Sequence, residues 1–121
     1  MNIKHLEYLL VLADTGSFSR AAEKLFITQS ALSRSIRLEA ESARKEMEEW
    51  AKMIREINDT LLPLAKEQSA FAETTFRNGQ GEIQSVLRSR EKRLQLSAAR
   101  LDALREFHLA RVRHETALGK F

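Results

Sequence analysis

Two long apolar-periodic stretches flank one glycine-bearing turn, Phe76-Arg77-Asn78-Gly79-Gln80-Gly81, and that arrangement leaves few folds open. Before the turn, Met47, Trp50, Ile54, Ile57, Leu61 and Leu64 recur three and four residues apart, the seam of a coiled coil. Gln68 interrupts the seam, and Phe71 and Phe76 resume it. After the turn, Ile83, Leu87, Leu94, Leu101, Leu104, His108 and Val112 form a return seam. Two seams of similar length about a five-residue turn at 77–81 predict an antiparallel helical hairpin. Each arm, about 35 residues long, would extend roughly 50 Å. Gly79 and Gly81 stand where the chain must leave one helix with positive φ and reverse. Pro63 lies inside the first seam and is expected to kink it, since a proline removes a backbone donor at roughly 3 kcal/mol unless packing compensates.

The first 37 residues follow a different rule. Ile3, Leu6, Leu9, Leu10 and Ala13 predict one apolar face of a first helix, which Asp14-Thr15-Gly16-Ser17 ends. Ser17 or Ser19 can cap a second helix through Ala21, Ala22 and Leu25. Thr28 is an N-cap for a third, with Ala31, Leu32 and Ile36 expected inside. Its outward face then presents Gln29, Ser30, Ser33, Arg34 and Arg37. Short polar groups with two arginines suit a major-groove reader, because Arg forks to guanine and Gln to adenine. Charge agrees. This segment carries five basic side chains (Lys4, Arg20, Lys24, Arg34, Arg37) against three acidic ones (Glu7, Asp14, Glu23). The whole chain is only +3, and its longer remainder is a mixed-charge helical surface. The fold class is thus all-α: a small three-helix segment, then a long coiled-coil hairpin.

Two resemblances follow from these residues. Leu6, Phe18, Ala21-Ala22, Leu25, Thr28-Gln29-Ser30-Ala31-Leu32-Ser33 and Ile36 resemble the N-terminal helix-turn-helix of LysR-type transcriptional regulators. That resemblance implies double-stranded DNA as partner, with Gln29, Ser30, Ser33, Arg34 and Arg37 as contacts. In that family a leucine-glutamate pair, a β-hairpin wing, a dimerising helix and an effector domain follow. Here Leu38-Glu39 arrives one residue early, and residues 38–42 read as a junction. Residues from about 43 to 119 resemble a periplasmic hairpin of the TolC-like outer-membrane efflux factors, nearest the cation or heavy-metal branch. Leu62-Pro63-Leu64-Ala65, Phe76-Arg77-Asn78-Gly79, Val86-Leu87, Arg93, Leu101 and Ala117-Leu118-Gly119 carry that likeness. It implies that Arg77, Asn78, Gly79, Gln80 and Gly81, with Glu82 and Arg88 nearby, form a tip docking to the hairpin of a membrane-fusion adaptor. Together the two likenesses describe a fusion, natural or built, that presents an efflux tip on a helix-turn-helix. The alternative is a DNA-binding regulator with a coiled-coil dimerisation hairpin. LysR regulators act as dimers or tetramers and efflux factors as trimers, so a homo-oligomer is possible.

Other classes are disfavoured. No cysteine is present for disulfides or thiolate zinc sites. The apolar run Leu6 to Ala13 is far too short to span a bilayer, and the start lacks the pattern of an export signal. The chain as written is expected in the cytoplasm, without membrane insertion. No nucleophile–base set, phosphate loop or acid pair at catalytic spacing occurs, so an enzyme and a cofactor are not expected. His108 and His114 are six apart and share no helix face, so no metal site is expected; His108 reads as a seam residue and Trp50 as a packing anchor. The cluster Arg88, Arg90, Lys92 and Arg93, with Glu82 and Glu91 close by, reads as a solvated face.

Overall fold

Side-chain caps and glycines divide the chain into five helices. The computed structural model describes residues 3–119, all helix and turn. Helix α1 spans Ile3–Thr15, α2 Phe18–Leu25 and α3 Gln29–Glu56. A π-helical turn at Ile57–Leu61 leads into α4, Leu62–Arg77, and α5 runs over Ile83–Ala117. Two compact units result: Met1–Glu48 with Phe107–Phe121, and Glu49–Glu106.

In the first unit, α1 stops where Gly16 turns left-handed (φ 66°) and its N–H donates to the Leu12 carbonyl at 2.8 Å. Ser17 then caps α2, its hydroxyl accepting from the Arg20 N–H at 3.4 Å. Thr28 caps α3 as expected, accepting from the Ala31 N–H at 3.1 Å. The core gathers Leu9, Leu12, Ala21, Ala22, Leu32, Ile36 and Ala40, and Ala117 of α5 completes it. Two expectations need correction. Leu9 and Leu12 face the core, whereas Ile3, Leu6, Leu10 and Ala13 are exposed. From Leu9 to Ala13 α1 is apolar around its whole circumference, so periodicity could not choose its inner face; packing did. Ala31 also points outward, because Leu32 and Ile36, four apart, already define the inner stripe of α3.

Helix α3 passes through Leu38-Glu39 without a break. Leu38 is exposed, while Glu39 is buried against His5 and Arg113. Its carboxylate lies 3.2 Å from His5 Nδ1 and 3.5 Å from Arg113 Nη1. Arg113 also bonds Glu46, and His114 Nδ1 lies 2.9 Å from the Ala40 carbonyl oxygen. The last turns of α5 are thereby held against α3 within this unit.

The second unit is a helical hairpin. Arg90 meets Glu73 at 2.8 Å and Arg100 donates to Asn58 at 2.7 Å, so contacts step backward along one arm as they advance along the other. Pro63 produces a π-turn. Leu62 N–H reaches the Ile57 carbonyl five residues back, and this wider turn accommodates the proline ring. The π-turn also adds one residue to the seam. Ile57 and Leu61 face inward as expected, but the register then moves to Ala65, Ser69 and Ala72. Leu64, Phe71 and Phe76, expected in the seam, are exposed instead.

The return seam is also corrected. Val86, Ser89, Arg93, Leu96, Arg100 and Ala103 face inward, three and four apart. Ile83, Leu87, Leu94 and Leu101 are exposed, and Leu104 is half-buried. In the first unit the same phase continues through Ala110 and Ala117, leaving His108 and Val112 outside. Small inward residues such as Ala65, Ser69 and Ala103 let helix backbones approach closely, beside the larger Leu61 and Leu96.

Candidate nucleic-acid interface

Leu32 and Ile36 anchor α3 in the core, and that fixes which of its residues reach solvent. Ser30 and Arg34 lie four apart on the side opposite that buried stripe, and Gln29, Ser33 and Arg37 lie four apart between the two. All five are exposed, so the structure brings the expected contact residues onto one face. No ion pair among the described residues engages Arg34 or Arg37, which leaves both guanidinium groups open to phosphate or guanine.

The turn before α3 is tightly specified. Phe26 takes a left-handed backbone (φ 58°), an uncommon state for a bulky residue, and its N–H donates to the Glu23 carbonyl at 3.2 Å. Ile27 N–H donates to the Ala22 carbonyl at 3.1 Å. These bonds close α2 and set the direction in which α3 departs.

Ser19, expected only as an alternative cap of α2, lies within that helix. Its hydroxyl donates to Gln29 Oε1 at 3.2 Å and so restrains the amide that faces outward. The only available signal was a small polar residue two positions after the Ser17 cap. Arg20, also exposed and outside every described ion pair, was not among the expected contact residues.

The comparisons bear on this segment. Its sequence matches the family model described as bacterial regulatory helix-turn-helix protein, lysR family, over residues 3–43. Residues 3–43 are a LysR-type helix-turn-helix. The match runs past Arg37 and takes in Leu38-Glu39. In this LysR-type helix-turn-helix, α2 and the start of α3 are the two helices about the turn. No curated protein and no solved structure matches the chain. The likeness of residues 43–119 to efflux factors rests on their sequence alone.

At the far turn, α4 ends with Asn78 N–H donating to Thr74 O at 3.1 Å, then Gly79 adopts φ 75°. Gln80 N–H returns to Thr75 O at 3.0 Å. Gly81 packs so closely that an added Cβ would lie 3.1 Å from the Thr75 methyl and 3.3 Å from Phe76 N. Arg77, Asn78, Gly79, Gln80 and Glu82 are exposed here, Gly81 is half-buried, and Arg88 lies exposed farther along α5. Among the described residues no group of three His, Cys, Asp or Glu could hold a metal ion, and no helix is long and apolar enough to cross a membrane.

Proposed function

We propose that this chain is a DNA-binding regulatory protein rather than an enzyme, and that α3 reads the major groove. One observation carries this: within a LysR-type helix-turn-helix, Gln29, Ser30, Ser33, Arg34 and Arg37 form one exposed face whose two arginines have no carboxylate partner among the described residues. Gln29 and Ser30 at the helix start approach base edges, while the arginines take guanine or phosphate. Such a regulator works in the cytoplasm, where the chromosome is.

The test is fluorescence anisotropy of labelled duplex DNA over a salt series. Binding should weaken as salt rises, since counterions are released from phosphates. If Arg34 meets phosphate, Arg34→Ala reduces the slope of log affinity against log salt by about 1. If it reads guanine, the loss is about 1–3 kcal/mol and specific to one base position. A chain that binds no duplex even at low salt overturns this reading.

A second reading is display of the 77–81 turn to the α-hairpin of a membrane-fusion adaptor. The ordered, solvent-facing turn with a left-handed Gly79 favours it. Calorimetric titration with a purified adaptor hairpin tests it. Asn78→Ala should abolish the binding heat while helicity is retained, and an adaptor that gives no heat with the unaltered chain refutes the idea.

A further inference from the structure

The leucines left outside the hairpin follow a rule of their own. Within the second unit, Leu87, Leu94 and Leu101 lie seven residues apart on α5 and are 56%, 70% and 62% exposed. Glu91, Ala98 and Arg105 alternate with them four and three residues apart, and all three are exposed. The result is a second seam, Leu-Glu-Leu-Ala-Leu-Arg, beside the one that closes the hairpin. Seven-residue spacing keeps such a stripe in line only against another helix.

Its charges select the partner and direction. A second copy of the same stripe, run antiparallel about Ala98, sets Glu91 opposite the other copy's Arg105 and brings Leu94 beside the other copy's Leu101. A parallel copy would stack glutamate on glutamate and arginine on arginine, which is repulsive. Ala98 at the crossing is small enough for close approach. Among the described residues Arg105 has Asp102 at 3.9 Å and Glu106 at 3.4 Å, both on its own helix, and it is itself exposed, so it is available to a stronger partner. We propose that the Leu87–Arg105 face of α5 is a self-association surface, filled by the same face of a second copy in antiparallel orientation. This is independent of DNA binding.

Sedimentation equilibrium of the full chain, 13.9 kDa as a monomer, should report twice that mass. Leu94→Glu should give the monomer with helicity unchanged. Glu91→Arg alone and Arg105→Glu alone should each weaken association about tenfold, one ion pair being lost at each end. The double swap should restore it. The chain has no cysteine, so single replacements cross-link only to themselves. Under mild oxidation Ala98→Cys should form a covalent dimer and Leu87→Cys should not, because only position 98 meets its own copy. A monomer at all concentrations, a dimer indifferent to Leu94→Glu, a swap pair that fails to rescue, or efficient cross-linking at position 87 would each overturn the proposal.

Discussion

Two serines show how one hydroxyl can serve a site while another weakens a core. Ser19 donates to Gln29 and restrains an amide that, in the proposed DNA-reading role, meets a base edge in a defined plane. Ser19→Ala should therefore relax discrimination at the base Gln29 reads, with the salt slope unchanged and Ser19→Thr restoring selectivity. Competition binding with single-base operator variants measures this; a uniform loss across all sequences would show that Ser19 only supports the fold. Ser69 is the opposite case. It is fully buried, and its Oγ makes no hydrogen bond among the described residues. Burying an unpaired hydroxyl costs about 1–3 kcal/mol, so Ser69→Ala should stabilise the hairpin by about 1 kcal/mol in urea unfolding. The space it fills is small, which is why a serine or alanine is required there at all.

Elements obeyed local chemistry at their ends and tertiary packing along their length. Caps were legible: Ser17, Thr28, Gly16 and Gly79 stop or start helices as their side chains and φ angles require. Helix faces were less so. The π-turn before Pro63 adds a residue, and every position after it shifts from the expected seam, from Leu64 to Ala65 and from Gln68 to Ser69. On α5 the large leucines suggested a seam, yet the seam used mixes Ser89 and Ala103 with Val86, Arg93, Leu96 and Arg100 and leaves Leu87, Leu94 and Leu101 outside. Gly79→Ala should cost about 1–2 kcal/mol through backbone strain alone, since nothing stands within 4 Å of its added Cβ. Gly79→Asn should cost less, as asparagine tolerates the left-handed state. Equal urea midpoints for the two variants would argue that the turn relaxes.

At the scale of the molecule, residues far apart in sequence make one domain. The LysR-type helix-turn-helix is completed by the end of α5, through Ala117 in its core and Arg113 on the buried Glu39. Glu39 Oε1 accepts no hydrogen bond, so Arg113 at 3.5 Å compensates it by charge alone. A buried carboxylate stripped of that partner is strongly destabilising, about 3 kcal/mol or more for a well-buried pair. Ending the chain after Glu106 should accordingly unfold the helix-turn-helix as well as shorten the hairpin. Loss of the cooperative transition and of duplex binding in the truncated chain would be seen by circular dichroism and anisotropy. A truncated chain that still binds DNA with full affinity would show the first three helices to be self-sufficient.

From sequence alone the all-α class, the helix ends, the glycine turn and the exposed polar face of α3 were accessible. Each is set by interactions within a few residues, such as caps, positive φ and the i, i+4 stripe of Leu32 and Ile36. Only the tertiary structure decided which face of α1 is inside, which residues of α5 line the hairpin, and that Glu39 bridges His5 and Arg113. Those choices depend on how near two backbones come and on partners dozens of residues away, and a helical repeat rich in leucine on several faces carries no information about either.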